Sequence, residues 1–168
     1  MISNILKLSK LENQQIFPNT ESYDLSEQLC ECLLNFESLW EEKSISIESE
    51  IEDSVTINAD PEMMSLVWNN LFSNAMKFTP ENGEVFVALK KDGNSAVVTV
   101  RDTGCGMTEE VKNHIFDKFY QGDPSRASAG NGLGLALVKK IIDITKSEIC
   151  VSSESGKGSE FTVTVRSD

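Results

Sequence analysis

Asn70, Asn74 and Lys77 recur at i, i+4 and i+7 along a largely apolar stretch of the chain. If the stretch is helical, this spacing places all three on roughly one face. Two carboxamide oxygens and an ammonium on one stripe can hold a hydrated divalent cation and the phosphates it bridges, because hard Mg²⁺ prefers oxygen ligands and keeps several waters. Taken alone, an exposed polar stripe is the simpler explanation. A second group is the run DTGCGM, 102–107. There Gly104 and Gly106 permit positive φ and close approach of a flat ligand, and the Asp102 carboxylate can accept a hydrogen bond from an exocyclic amine. A two-glycine turn would account for the same residues. The third group is GNGLGL, 130–135, where free backbone amides at a helix start can face an anion and glycines leave room for a phosphate chain. The spacing of Gly130, Gly132 and Gly134, with no strand before it, is not a dinucleotide-binding fingerprint. Nor is Gly156-Lys157-Gly158-Ser159 a P-loop, since it lacks the upstream glycine and has Gly158 where Ser or Thr is required.

The elements that must position these groups are legible in the pattern. Asp60 is a helix cap, Pro61 suits the first helical position and Glu62 complements the helix dipole, so a helix is expected over 61–78, ending before Pro80 and Gly83. Val85, Val87 and Leu89, a turn at Asp92-Gly93, then Val98 and Val100 predict a hairpin that delivers Asp102. Thr108 caps a helix reaching about Phe116, and 120–130, rich in Gly, Ser, Pro and Asp, reads as a long mobile loop. A helix over 133–145 has Leu137, Ile141 and Ile142 as core candidates; Ile149 and Val151, a turn at 156–158, then Phe161, Val163 and Val165 form a closing hairpin.

Upstream, Asp24 and Glu27 have capping-box spacing before a single core helix carrying Leu25, Leu29, Cys32, Leu33, Phe36 and Trp40 on one face. Ile45 and Ile47, then Val55 and Ile57, predict two short strands. Ile2, Ile5, Leu6 and Leu11 predict an amphipathic stub with little to pack against locally. No internal repeat is visible. The whole predicts an α+β fold, a two-layer sandwich with helices covering the apolar face of a sheet.

Composition narrows the function. The chain has 168 residues, 39% of them hydrophobic, which suits one ordinary domain. Fifteen Lys and Arg against 27 Asp and Glu give a net charge of -12, a field that repels phosphate backbones, so nucleic acid is not an expected partner. No apolar run approaches a membrane span, and the polar start has no signal-peptide core. Cys30, Cys32, Cys105 and Cys150 are scattered, and His114 has no cysteine near it in sequence. Zinc spacing is therefore absent, and four reduced thiols in a cytosolic compartment are expected.

The order of the motifs says more than any one of them. NNLFSNAMKFTPENG (69–83), a DxGxG loop after a strand, IFDKFYQGD (115–123), a flexible loop and GxGLGL opening a helix together resemble the catalytic and ATP-binding domain of sensor histidine kinases. That domain belongs to the wider family that includes type II topoisomerase, chaperone and mismatch-repair ATPases. The resemblance implies a Bergerat-type fold with a mixed sheet. It also implies that Asn74 ligates Mg²⁺, that Asn70 and Lys77 contact the phosphates of ATP, and that Phe78 flanks the nucleotide. Asp102 would read the adenine amino group beside Gly104 and Gly106, and Gly132, Leu133 and Gly134 would give amides to the phosphates. Phe116 and Phe119 would anchor a lid over 120–130. Many relatives have an arginine after the FxxFY segment where this chain has Gln121, and Arg126 is the nearest cationic substitute.

The resemblance also separates chemistries. Hydrolytic relatives carry a glutamate one helical turn before the metal-binding Asn; here Asn70 stands there and has no basic lone pair to activate water. A neutral imidazole needs no such activation, so phosphoryl transfer to histidine is the expected reaction. The acceptor motif, a histidine followed by an acid and then arginine, is absent from the chain, and His114 reads as a helix-surface or packing residue. LKLSKLE, 6–12, resembles the end of a dimerisation helix. Residues 1–15 are accordingly expected to be helix end and linker, and 16–168 the catalytic domain. The implied partners are the acceptor and dimerisation domain of the same protein and a response-regulator receiver domain. The full-length protein would be a homodimer and the fragment a monomer, inactive alone. A hydrolytic ATPase of the same fold and a nucleotide-binding module, such as an anti-sigma factor or a degenerate pseudokinase, are the competing classes. If 120–130 is a lid, its amides exchange rapidly without nucleotide and slowly with Mg-ATP; equal exchange in a hydrogen–deuterium experiment would remove the gating role.

Overall fold

The computed structural model describes residues 4–12, 18–118 and 134–167. In chain order the elements are α1 (Asn4–Glu12), β1 (Glu21–Asp24), α2 (Leu25–Leu34), α3 (Glu37–Glu42), β2 (Ser46–Ile51), β3 (Thr56–Ala59), α4 (Pro61–Phe78), β4 (Glu84–Asp92), β5 (Ser95–Asp102), α5 (Glu109–His114), α6 (Gly134–Ile144), β6 (Glu148–Glu154) and β7 (Gly158–Arg166). Five strands form one mixed sheet in the order β2-β4-β5-β7-β6; β2 runs parallel to β4 and the other pairs are antiparallel. β1 and β3 make a separate antiparallel pair.

Alternation along the strands decides which sheet face is dry. Val85, Val87 and Leu89 of β4, Val98 and Val100 of β5 and Val163 and Val165 of β7 are buried, because side chains two apart share a face. α4 covers this face with Met64, Val67, Trp68, Leu71 and Phe72, and α6 adds Leu137, Val138, Ile141 and Ile142. The opposite face has no helix among the described residues. There the Arg101 guanidinium lies 4.5 Å from the centre of the Phe86 ring, which shields an aromatic left half-exposed.

Helix α4 is fixed at its start by the cap expected from sequence. Asp60 is buried; one carboxylate oxygen accepts from Met63 N at 3.0 Å and the other from Asn19 N at 2.7 Å. Gln28 ties the same helix to α2, accepting from Trp68 Nε1 (2.9 Å) and Tyr23 OH (3.0 Å) and donating to Pro61 O (2.7 Å). Burial raises the Tyr23 phenol above its ordinary range.

Two expectations from sequence are corrected. The single helix read through Phe36 and Trp40 is two, because the chain turns at Asn35 and Phe36, whose amides bond to Cys32 O and Leu33 O. The turn sets the Phe36 ring edge-on to Phe72 at 6.4 Å. The N-terminal stub, expected to lack a local partner, packs on α6, with Leu8 and Leu11 buried and Glu12 paired to Lys118 at 2.5 Å. Its partner stripe lies more than a hundred residues downstream, where a local reading of the sequence does not look. β1 was not foreseen either; it is four residues long and lacks a run of alternating apolar side chains.

Candidate functional site

The C-terminal half of α4 is the wall on which the candidate residues stand. Asn70, Asn74 and Lys77 are half-buried on one side of the helix, and Phe78 is 38% exposed at its end. Asn70 Nδ2 donates to Leu66 O at 2.7 Å, which turns its carbonyl oxygen outward. Asn74 makes no side-chain hydrogen bond among the described residues, and no described carboxylate pairs with Lys77. Partial burial lowers the Lys77 pKa below the usual lysine range, because removing water penalises the ammonium. Its Nζ lies 5.8 Å from the Phe78 ring centre.

Two chain segments are pressed against this wall. The start of α6 comes so close that a Cβ on Gly134 would stand 2.9 Å from Asn70 Oδ1. The start of α6 is therefore apposed to the polar stripe of α4 at Asn70, and the free amides of a helix start are groups that bind anions. At the other end a Cβ on Gly104 would stand 2.7 Å from Phe78 O, so the loop after β5 can close on the end of α4 only if that residue is glycine. Both glycines of this loop were expected to permit positive φ. Gly106 takes φ +67, whereas Gly104 is absent from the positive-φ residues and is needed for contact.

Asp102, at the end of β5, is buried. Its carboxylate accepts from Gly104 N at 2.8 Å, and the nearby Ser159 backbone also favours its charged form. Desolvation nevertheless outweighs these favourable contributions and raises its pKa above the ordinary carboxylate range. Such a carboxylate gains from any further donor that reaches it.

Sequence reading missed what holds the 102–107 loop in place. The closing hairpin does so: Gly156 N donates to Cys105 O (2.6 Å), and Met107 N to Ser153 Oγ (2.8 Å), while Ser153 Oγ lies 3.0 Å from Gly158 O and 2.9 Å from Ser159 Oγ. A Cβ on Gly106 would come within 2.0 Å of Glu154 O. The GKGS run thus has a structural use after all, though no local signal links it to residues some 50 positions upstream. Phe116 packs half-buried against the core. Phe119, Gln121, Arg126, Gly132, Leu133 and the loop 120–130 lie outside the described residues. His114 sits on the surface with Nδ1 2.8 Å from Asp117 Oδ2. No disulfide forms; Cys32 is buried and its thiol is pushed up to about 11.

This geometry agrees with comparisons to known proteins. A family model described as "Histidine kinase-, DNA gyrase B-, and HSP90-like ATPase" matches residues 59–168, and the chain belongs to that family. Among its relatives is the sensor histidine kinase RcsC of Escherichia coli, 35% identical over 169 residues, covering 98% of this chain and 18% of RcsC. Another is the circadian input-output histidine kinase CikA of Synechococcus elongatus, 34% identical over 97% of this chain and 22% of CikA. The chain thus spans only a small part of these relatives. The solved catalytic domain of histidine kinase ThkA superposes with a TM-score of 0.79 at 25% identity, covering 89% of this chain and 96% of that one. Full-length ShkA in complex with AMPPNP superposes at 0.85 with 27% identity, covering 98% of this chain and 35% of ShkA. The mixed five-stranded sheet with its helices is the fold of the histidine kinase catalytic domain.

Burial of Asp102 has a consequence for stability. With its pKa raised in the folded state, the native protein keeps a proton that the unfolded chain has already released, so Asp102 lowers stability as pH rises between the two pKa values. Asp102→Asn removes that dependence. The variant's urea midpoint minus that of the parent should grow as pH rises through this window and then level off; a gap that shrinks would refute the assignment.

Proposed function

We propose that this chain is the ATP-binding catalytic domain of a two-component sensor histidine kinase. It binds Mg-ATP and transfers the γ-phosphoryl group to a histidine on a dimerisation domain, for relay to a response-regulator aspartate. Residues 1–15 are the end of the dimerisation helix and a linker, and 16–168 the catalytic domain, working in the cytoplasm. Among the described residues no helix is long and apolar enough to cross a membrane. The observation that carries the reading is the apposition of Gly134 to Asn70, with a buried, hydrogen-bond-accepting Asp102 whose loop rests through Gly104 on the far end of the same helix at Phe78.

In this reading adenine enters beside Asp102, which accepts its amino hydrogen, with Gly104 and Gly106 along the base and Phe78 on its flank. The phosphates run toward the start of α6, where the amides of Gly132, Leu133 and Gly134 bind them and Asn70 and Lys77 hold them from α4. Arg126 supplies a further cation. Mg²⁺ is held by Asn74. The residue present fits such an ion, because the Asn74 carboxamide is an uncommitted hard oxygen and Mg²⁺ accepts oxygen ligands; Asn74 would hold it together with the phosphates. When bound, the cation neutralises charge on the β- and γ-phosphates.

The acceptor imidazole nitrogen uses its own lone pair to form the N–P bond as the bond from phosphorus to the β,γ-bridging oxygen breaks and ADP departs. The chain's part is to position the phosphates and screen their charge. Asn70, bonded back to Leu66 O, cannot take a proton from water, which disfavours hydrolysis.

Incubation with radiolabelled ATP and a separately supplied acceptor domain tests this. Phosphohistidine is expected; free phosphate would indicate a hydrolytic ATPase, and binding without turnover a nucleotide-binding module. Asp102→Ala should weaken ATP binding about tenfold or more in calorimetric titration, since each lost base contact of this kind is on the order of 1–3 kcal/mol. Unchanged affinity would contradict its role. Asn74→Asp should cut Mg-dependent transfer by rearranging charge around the cation, checked by phosphohistidine formation across a magnesium titration.

A further inference from the structure

Lys43 is the residue after α3 and belongs to none of the motifs. Its ammonium reaches across to the last turn of α4, where Nζ donates to Met76 O at 2.9 Å and to Lys77 O at 3.2 Å. Its own carbonyl accepts from Asn82 N at 2.9 Å, so the same residue also grips the turn that follows α4. These contacts are partly buried, and the backbone at Lys43 is anchored by its amide on Leu39 O.

Helix C-termini leave carbonyls without intrahelical donors and carry the negative end of the helix dipole. In α4 that end falls among the residues of the candidate site. Met76 and Lys77 follow Asn74, and the next carbonyl, that of Phe78, packs against Gly104. Thr79 satisfies Ala75 O through Oγ1 at 2.6 Å and through its amide at 3.1 Å. Lys43 satisfies the next two carbonyls and is a full positive charge placed behind them. Without it, the last turn would present uncompensated carbonyl dipoles near an anionic ligand and would be free to fray at Lys77.

We propose that Lys43 is a positioning residue for the triphosphate: it holds the last turn of α4 so that Asn74 and Lys77 face the phosphates, and cancels the carbonyl field that would oppose them. The inference rests on the nucleotide reading of this face. Its signature is unequal, because Asp102 stands on β5 and the base meets the last turn of α4 only through Phe78 and Gly104, whereas the phosphates face the charge that Lys43 balances.

The test is binding to the full chain by Lys43→Met, Lys43→Gln and Lys43→Arg, with Mg-AMPPNP followed by calorimetry and adenosine by NMR titration. Lys43→Met and Lys43→Gln should bind Mg-AMPPNP about tenfold more weakly while adenosine affinity changes by less than about twofold, and Lys43→Arg should recover most of the loss. A drop in melting temperature with unchanged or equally weakened binding of both ligands would make Lys43 purely structural and overturn the proposal. So would loss of folding in both neutral variants together with no rescue of Mg-AMPPNP binding by arginine. Failure of the parent chain itself to bind either ligand would instead overturn the nucleotide reading.

Discussion

The C-terminal half of α4 is the constraint on which the rest of the site depends. Its apolar side is committed to the sheet through Leu71, Phe72 and Ala75, so rotation about the helix axis is fixed by the core. A helix repeats every 3.6 residues, and fixing the apolar side fixes the direction of Asn70, Asn74 and Lys77 as well. The loop after β5 and the start of α6 then close on the same half-helix at Phe78 and Asn70, each through a glycine. A side chain at either glycine would push apart two walls of one cleft.

The electrostatics of this cleft differ from those of the surface around it. A net charge of -12 makes the chain as a whole repel anions. Local order offsets this along one helix: Lys77, partly stripped of water and with no described carboxylate partner, stands near the end of α4, and the start of α6 abuts the same helix two turns earlier at Asn70. Asp102 is the complementary case, an acid under a desolvation cost that hydrogen bonds only partly offset. The same half-helix thus carries a group that favours negative charge and lies against a loop whose acid favours a donor.

Much of this was legible residue by residue. Helix α4 keeps the limits that Asp60, Pro61 and Pro80 set, since capping and the lack of an amide on proline act within a turn. Both hairpins follow from alternation and turn residues, and Asp102 falls at a strand end as the β5 pattern required. The break between α2 and α3 was not legible, because the apolar spacing across Asn35 suits one helix or two. What separates them is the turn at Asn35 and Phe36, which the edge-on contact of Phe36 with Phe72 accompanies. The burial of α1 on α6 was also out of reach, as an amphipathic stripe states that a partner exists without naming it.

The sequence alone determined which chemical groups are present, which of them share a helix face or strand end, and, through motif order, the family. Those properties are set by covalent spacing and by backbone periodicities of 3.6 and 2. Tertiary structure decided which glycine meets which carbonyl, why Gly104 must lack a side chain while Gly106 must take positive φ, and that the GKGS turn and Lys43 brace the cleft. These depend on contacts between residues tens of positions apart, created only when the sheet and helices bury a common core. No local pattern encodes them.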